Sequence, residues 1–292
     1  EYLMKKMKED KRVVAVVAAV PTNIGFTEDK RNEAGKQFVD VGIAEEHAVA
    51  MVSGIAKNGG KPVFATHSSF FQRTYDQISQ DLCVNSSPAT LLVNTASVYG
   101  MNDVTHLGIY DIPMMSNIPN LVYLAEYFAM LDWSIEQNKY PTAIRIPCNG
   151  VIHSDKPADT DYGDINKYQI TQQGEDVAVI ALGDFYQIGE KLAELIAEKN
   201  GKAPTLINPR YITGIDAEML EKLKNNHSKV ITLEDGILDG GFGEKIARFY
   251  GHSDIKVYNY GLKKEFLDRY SVDDVLKENH LTPEQIYNDI SK

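Results

Sequence analysis

Apolar, β-rich runs alternate with helical patterns along the first half of the chain. The runs fall at 13–20, 38–43, 62–66, 89–95, 120–124 and 142–147, and the helical patterns at about 45–57, 70–83 and 126–138. Alternation of this kind indicates a parallel sheet with helices on both faces. The longest apolar run, 13–20, is far shorter than the roughly 20 residues that span a bilayer, so it predicts a core strand.

A second alternating set follows a polar stretch. Strands are predicted at 176–182, 204–208, 229–234 and 255–260, with helices near 185–199, 216–225 and 241–250 and short surface helices in the tail after Leu262. The polar stretch has the composition of a linker. The sequence therefore predicts two parallel-sheet α/β domains, at 1–150 and 166–292, joined by a linker at 151–165.

Composition narrows the class of protein. The chain has 292 residues, of which 43% are hydrophobic, and a net charge of -11. A chain this long favours two domains, and the acidic balance argues against a nucleic-acid surface and an acidic membrane surface. Cys83 and Cys148 form no CxxC pair, so we expect reduced, buried thiols in a cytoplasmic protein. The chain begins at Glu1 rather than Met, which leaves a removed upstream segment open.

Residues 38–77 hold the first candidate chemistry. Glu45 stands where a strand runs into a helix, and Phe70 to Arg73 follow one β-unit later. Open α/β sheets bind ligands at the carboxyl ends of their strands. Each residue also has a structural interpretation: Glu45 suits the first turn of a helix, one of Phe70 and Phe71 is a core ring, most readily Phe71, and Arg73 can pair with neighbouring aspartates.

Four segments in order carry a family resemblance. GIAEEHAV, KPVFATHSSFFQRTYDQ, THLGIYD and VITLEDGILDGGFGE resemble the 1-deoxy-D-xylulose 5-phosphate synthases of the transketolase family. The likeness covers essentially the whole chain, as a pyrimidine-binding domain followed by a transketolase C-terminal domain. It implies a thiamine diphosphate-dependent transferase that moves two carbons from pyruvate to an aldehyde, as in isoprenoid biosynthesis.

The resemblance implies a role for each matching residue. Glu45 corresponds to the carboxylate that hydrogen-bonds N1′ of the aminopyrimidine, a task for which burial is suited because it disfavours the charged form. Phe70 corresponds to the ring that stacks on the aminopyrimidine, and Arg73 to an arginine near the substrate. His106 matches a histidine that moves protons or holds a substrate oxygen. His67 stands where the family usually has Tyr, and either makes a polar substrate contact or fills space.

Other positions depart from the family. An Asp-Arg-Ala-Gly run becomes Asn94, Thr95, Ala96, Ser97, a Pro-Arg-Gly becomes Pro147, Cys148, Asn149, Gly150, and Asp-Gly before the Thr-His pair becomes Asn102-Asp103. Both missing arginines are associated with the phosphate of glyceraldehyde 3-phosphate. Losing two charge-assisted hydrogen bonds costs about 3–6 kcal/mol. The sequence therefore predicts weak binding of that acceptor.

The diphosphate end of the cofactor falls outside this resemblance. The family binds it through Mg²⁺ with a GDG motif in an N-terminal domain, whereas Gly183-Asp184-Phe185 lies in the wrong domain and lacks the second glycine, so no metal ligand is assigned. GGFG at 240–243 predicts a strand-to-helix turn, with Glu234 and Asp235 as turn and cap residues.

The implied partners are a missing N-terminal diphosphate-binding domain or partner chain, and a second copy in a homodimer. Two alternatives stay open: the small subunit of a split transketolase, and a catalytically silent dimerisation module.

Overall fold

The computed structural model describes residues 1–125, 128–148 and 159–292. The chain divides into two compact units, one formed by residues 1–96 and 117–163, the other by 97–116 and 164–292. Residues 97–116 thus group with the second unit, although they lie between two strands of the first. Most of the predicted linker, 151–158, lies outside the described residues.

The first unit contains a six-stranded, entirely parallel sheet with strand order β2-β1-β3-β4-β6-β5. The six predicted runs are confirmed as strands: β1 Val13–Val17, β2 Phe38–Asp40, β3 Lys61–His67, β4 Thr90–Ala96, β5 Val122–Ala125 and β6 Thr142–Pro147. Because all six point the same way, the ends of β1 to β4 deliver their loops to one edge of the sheet.

The helices of the first unit are only partly as predicted. α3, Glu45–Lys57, has the predicted bounds and α6 is Phe128–Glu136, while the charged helices α1, Tyr2–Glu9, and α2, Glu28–Ala34, were not expected. The predicted helix at 70–83 is instead a 3₁₀ stretch Ser68–Thr74, an α turn α4 Tyr75–Gln77 and a π stretch Ile78–Val84. Backbone carbonyl oxygens that accept N–H donors in a regular α-helix here accept from side-chain hydroxyls. Thr74 donates to Phe71 O and Ser53 donates to Asp81 O.

The second unit contains a five-stranded sheet with strand order β11-β10-β8-β9-β7. β8 Asp176–Ala181, β9 Thr205–Asn208, β10 His227–Ile237 and β11 Lys256–Leu262 confirm the predicted strands and are parallel. β7, Gln169–Gln172, is antiparallel to β9 at the edge and was missed, because its mostly polar residues carry no apolar run. The predicted fold class, two α/β domains dominated by parallel sheets, is confirmed.

Helices of the second unit follow the predicted positions: α7 Tyr186–Asn200, α8 Ala217–Leu223 and α9 Phe242–Tyr250. The tail forms α10 Val272–Glu278 and α11 Pro283–Ile290, but describing them as surface helices was wrong in part. Val275, Leu281, Ile286 and Ile290 are buried in the core of this unit. These apolar side chains supply the burial that holds two short helices in place.

The segment 97–116 contributes to the same core. Val98, Leu107 and Ile109 belong to one buried cluster with Phe185 and other residues of the second unit. Ser97 N donates to Gly108 O at 2.7 Å, which closes the segment into a loop, and a short helix, α5 Asp111–Met115, follows. The loop is therefore built on apolar anchors rather than exposed along its length.

Glu234 caps α9, as predicted. Its buried carboxylate accepts from Phe242 N at 2.7 Å and Gly243 N at 2.8 Å, and α9 begins at Phe242 directly after the GG pair. Two donors of the first turn are satisfied by one charged group that also complements the helix dipole.

Substituting Glu234→Gln should therefore destabilise the protein. A glutamine can accept at one oxygen but turns an N–H toward the second backbone donor, so we expect a loss of about 1–3 kcal/mol in the free energy of unfolding. Urea unfolding measures it, with Glu198→Gln on the exposed face of α7 as the control. Equal stability of the two variants would mean that the cap contributes nothing.

The two cysteines differ in exposure. Both are free thiols, Cys83 buried and Cys148 exposed. Burial raises the pKa of the Cys83 thiol to about 12. The prediction of buried thiols is thus correct for Cys83 and wrong for Cys148, which follows β6 directly.

Candidate functional site

Glu45 is the first residue of α3 and follows the loop at the carboxyl end of β2. Its side chain is only 3% exposed. Oε2 has no hydrogen-bond partner among the described residues, although it lies 3.5 Å from Nη1 of Arg73. A buried carboxylate oxygen without a hydrogen bond is costly to desolvate, and such groups are concentrated at functional sites. Glu45 Oε2 is thus a buried hydrogen-bond acceptor that a further donor could satisfy.

Arg73 joins the two acidic residues at the start of α3. Its Nε donates to Glu46 Oε1 at 2.9 Å while Nη1 faces Glu45, and 51% of its side chain is exposed. This contact with Arg73 helps lower the pKa of the Glu46 carboxyl, after a backbone hydrogen bond at Glu46 itself. The ion pairs are with Glu45 and Glu46, not with the neighbouring aspartates considered from the sequence. Arg73 therefore provides a cation directly beside the buried carboxylate.

Phe70 and Phe71 divide between surface and core. Phe71 is fully buried and packs edge-on against Phe64 with ring centroids 5.3 Å apart, which confirms it as the core ring. Phe70 is partly exposed and meets the ring of His67 edge-on, with centroids 5.1 Å apart. Phe70 is thus the one of the two rings that lies partly at the surface.

His67, the last residue of β3, makes polar contacts. It is 4% exposed, its Nδ1 lies 2.9 Å from Thr95 Oγ1, and its Nε2 lies 3.4 Å from Asn23 Nδ2. These partners are protein side chains, and a contact of His67 with substrate stays a prediction.

His106 lies in the loop segment of the second unit, between β4 and α5. Its Nδ1 is 2.8 Å from Thr105 Oγ1 and 3.6 Å from Asp103 Oδ1, with 30% of the side chain exposed. Hydrogen bonds from the Thr105 hydroxyl and backbone lower the pKa of Asp103, with a smaller contribution from His106. Asp103, a position where the family has Gly, thus organises the turn and places a negative charge near the imidazole.

The C-terminal tail holds this loop by several contacts. Arg269 N donates to Asn102 O at 2.7 Å, Asn102 Nδ2 to Tyr270 O at 3.2 Å, and Tyr270 OH to Val98 O at 3.0 Å. Tyr110 OH also donates to Glu265 O at 2.7 Å. The His106 loop is therefore positioned by residues more than 150 places later in the sequence.

Lys245 on α9 binds the C-terminal end of the segment 97–116. Its ammonium donates to the carbonyls of Ile212 at 2.9 Å, Thr213 at 3.2 Å and Ser116 at 3.3 Å. Burial lowers the pKa of Lys245 to about 8. In the unfolded chain the ordinary value of 10.5 applies, so the folded protein releases this proton at lower pH than the unfolded chain does.

Stability should consequently depend on pH through Lys245. Between pH 7 and 9 the unfolded lysine stays protonated while the folded one loses its proton, so this group adds about 1.4 kcal/mol to the free energy of unfolding as pH rises. Urea unfolding of wild type and Lys245→Met at both pH values measures this difference, with exposed Lys199→Met as the control. A difference between wild type and Lys245→Met that is constant with pH would contradict the prediction.

A separate cavity of about 420 Å³ lies in the second unit, lined among others by Lys167, Lys222 and Glu218. Glu218 accepts from both lysines, at 2.8 and 2.7 Å. These three charged groups thus pair with one another.

Comparison with known proteins decides the family. Residues 1–150 match the family described as "Transketolase, pyrimidine binding domain", and residues 166–286 match "Transketolase, C-terminal domain". The chain belongs to the transketolase family. This family is thiamine diphosphate-dependent, and the resemblance read from the motifs is confirmed.

Curated relatives are named 1-deoxy-D-xylulose-5-phosphate synthase. The protein of Clostridium perfringens is 37% identical over 99% of this chain and 47% of its own length. Those of Clostridium tetani and Alkaliphilus oremlandii are each 35% identical, over 97% and 99% of this chain and 46% and 47% of their own. The chain spans about half the length of the curated relatives it matches.

A solved structure has the same fold. It is described as a split-gene transketolase, an inactive β4 tetramer, and it matches with a TM-score of 0.82 over 99% of this chain and 94% of that one. At 20% identity this likeness shows the fold alone. No helix among the described residues is long and apolar enough to cross a membrane.

The positions at which the two arginines are missing carry uncharged polar side chains. Asn94 donates to the carbonyls of Thr66 and Leu92, and Thr95 lies against His67. Cys148 is an exposed thiol, and Asn149 and Gly150 lie outside the described residues. Where the transketolase-family resemblance leads us to expect two arginines, the described side chains are an uncharged hydroxyl and a thiol.

The GDF sequence forms no metal site that the structure shows. Gly183–Phe185 is a 3₁₀ turn after β8 in which Gly183 has φ +58 and approaches Asp235. Within the described ranges, no group of three or more His, Cys, Asp or Glu side chains could hold a metal ion.

Sequence reasoning missed two parts of the site. Asn23, in the loop after β1, contacts His67, and Glu46 holds Arg73. Glu46 stands beside Glu45 in the motif, but its spacing from Arg73 does not reveal their contact. No motif marks Asn23, because its position is set by the adjacency of β1 and β3 rather than by neighbours in the chain.

Proposed function

We propose that this chain is the pyrimidine-binding and C-terminal portion of a thiamine diphosphate-dependent enzyme that transfers a two-carbon unit from pyruvate to an aldehyde. The observation that carries the proposal is Glu45, a buried carboxylate with an oxygen that lacks a hydrogen bond among the described residues. Family membership supports the cofactor, and the similarity to 1-deoxy-D-xylulose-5-phosphate synthases supports the reaction class.

The residues present fit the aminopyrimidine end of the cofactor. The ring nitrogen N1′ needs a carboxyl partner, which Glu45 Oε2 offers, and the ring faces need an apolar surface, which Phe70 offers. When bound, the cofactor supplies a carbon acid that becomes the nucleophile toward the donor ketone.

Glu45 holds and moves the proton at this end of the site. The Arg73 guanidinium lies 3.5 Å from this carboxylate. A ring nitrogen that shares a proton with Oε2 would satisfy the oxygen that lacks a hydrogen bond. A hydrogen bond through that shared proton is stronger in a buried site than in water.

Three further residues act on the substrates. Arg73, whose side chain is half exposed, contacts a substrate oxygen with its guanidinium. His67 supports a polar substrate contact. His106, fixed by Thr105 and the tail, transfers a proton to or from the substrate.

The diphosphate end of the cofactor requires binding residues, and we assign none of them to this chain. We place Mg²⁺ and the diphosphate on a further domain, either in the same protein or in a partner chain. The assembly is a homodimer of the complete unit in the cytoplasm, and this chain alone does not turn over.

A split transketolase is the second candidate. In the split-gene structure this fold makes up 94% of one chain, which is the expected size of a small subunit. A GDG-containing segment upstream in the same reading frame would exclude a split subunit, whereas the same segment in an adjacent gene would support it.

Calorimetry on the complete protein tests the proposal. Thiamine diphosphate with Mg²⁺ should bind, and Glu45→Ala should weaken binding by roughly 10- to 150-fold as one hydrogen bond to a charged group is lost. Absence of binding by the wild-type protein would leave only the silent dimerisation module.

A further inference from the structure

Asp40, the last residue of β2, binds two loops at the edge of the first sheet where its strands end. Its Oδ1 accepts from Ala19 N at 2.9 Å and from Gly42 N at 3.0 Å. Ala19 follows β1, and Gly42 belongs to the loop that leads from β2 into α3. Because β1 and β2 are neighbours in the sheet, one carboxylate oxygen joins the loops beyond two adjacent strands.

Both donors lie in left-handed backbone. Ala19 has φ +57 and Gly42 has φ +73. Glycine adopts this conformation readily, but it is uncommon for a residue with a Cβ and persists where the surroundings enforce it, often at functional sites. A hydrogen bond to a common acceptor is such a constraint. Asp40 therefore fixes the direction of both loops as they leave the sheet.

The second of these loops leads directly to Glu45. Ala44 N donates to Gly42 O at 2.8 Å, which closes a tight turn. α3 then begins at Glu45, and its N-cap, Ala44, makes no side-chain hydrogen bond to the helix. Many helices are anchored at this point by a capping side chain. Here the side-chain anchor lies upstream, where Asp40 accepts from Gly42.

We infer that Asp40 is a positioning residue that sets where Glu45 presents its carboxylate to the aminopyrimidine. Ala48, Val49 and Val52 are buried and hold α3 in the core, but they begin one turn after Glu45, so the first turn depends on the preceding loop. Glu45 is 3% exposed, and a small displacement would take its carboxylate out of register with the ring nitrogen. The inference rests on the proposed function, because it requires the cofactor.

Substitution at Asp40 separates an effect of position from an effect of charge. The amide oxygen of asparagine can accept from the same two backbone N–H groups as the carboxylate, whereas alanine accepts from neither. Asp40→Asn should therefore keep the turn, and Asp40→Ala should release it.

Amide hydrogen exchange of the full chain without cofactor, followed by NMR, tests the contacts themselves. In Asp40→Ala the amides of Ala19 and Gly42 should exchange about tenfold faster, the lower end of the range for a hydrogen bond to a charged group, because Asp40 is exposed. Asp40→Asn should exchange much like the wild type. Amides of the buried strand β3 are the internal reference, since release of one turn is local. Unchanged exchange of Gly42 in Asp40→Ala would overturn the inference.

Kinetics of the complete protein tests the effect on Glu45. Asp40→Ala should lower kcat and the rate of exchange of the cofactor C2 proton together, by about 10- to 100-fold, and leave KM for pyruvate within about twofold. Asp40→Asn should recover most of both rates. Asp29→Ala, an exposed aspartate in the first turn of α2, is the control. Equal losses in Asp40→Ala and Asp40→Asn would mean that charge rather than position matters, against the inference.

Failure of the positioning role and failure of the proposed function give different results. If the complete wild-type protein bound no thiamine diphosphate, the proposed function would fall and the positioning role with it, while the exchange result for the turn would stand separately. If it bound the cofactor and Asp40→Ala exchanged the C2 proton at the wild-type rate, only the positioning role would fall.

Discussion

Glu45→Gln should lower kcat of the complete protein by about 10²–10⁴-fold, the range that one positioned proton-transfer group contributes. Glutamine keeps the shape of the side chain and can still hydrogen-bond a ring nitrogen, but it cannot exchange a proton with it. Cofactor affinity should therefore change much less than rate. The buried position of Glu45 strengthens the expectation, because water cannot readily substitute for the carboxylate at 3% exposure.

Two measurements separate this role from a structural one. Exchange of the cofactor C2 proton, followed by NMR, should slow together with kcat. Glu28→Gln is a matched control, since Glu28 is likewise the first residue of a helix, α2, but is exposed. Unchanged C2 exchange in Glu45→Gln would show that Glu45 only begins its helix.

Much of the fold could be predicted because it depends on the local pattern of apolar and polar residues. Strands buried in parallel sheets are continuous apolar runs, and ten of the eleven strands in the described part of the chain fall within or around such runs. β7 does not follow this pattern, because its four residues are mostly polar and it pairs with β9 at the sheet edge. The 3₁₀ and π stretches at 68–84 also could not be predicted, because side chains from elsewhere, such as Ser53, take their carbonyls.

Candidate site residues could be named where chemistry and motif coincide, and their roles stay predictions. Glu45, Phe70 and Arg73 follow strand ends within 30 residues of each other, and strand ends are where ligands bind. The carboxylate pair around Arg73 and the contact of Asn23 with His67 depend on side-chain directions that spacing does not reveal. The grouping of 97–116 with the second unit likewise arises from buried Val98, Leu107 and Ile109, which look like any other apolar loop residues.

The complete protein should show little preference for a phosphorylated aldehyde over its unphosphorylated form. Two charge-assisted hydrogen bonds to phosphate contribute about 3–6 kcal/mol, or roughly 10²–10⁴ in binding, and this chain has Thr95 and exposed Cys148 at those positions. Arg73 does not compensate, since Glu45 and Glu46 already balance its charge.

Steady-state KM values for glyceraldehyde and glyceraldehyde 3-phosphate measure this preference directly. We expect a ratio near one in the wild-type protein, and Cys148→Arg should favour the phosphorylated aldehyde by about tenfold, because it restores one cation next to β6. Cys148→Gln controls for the larger side chain without the charge. The gain in Cys148→Arg should shrink as salt is raised, since an exposed cation is screened. A wild-type KM for glyceraldehyde 3-phosphate far below that for glyceraldehyde would mean that another cation binds the phosphate.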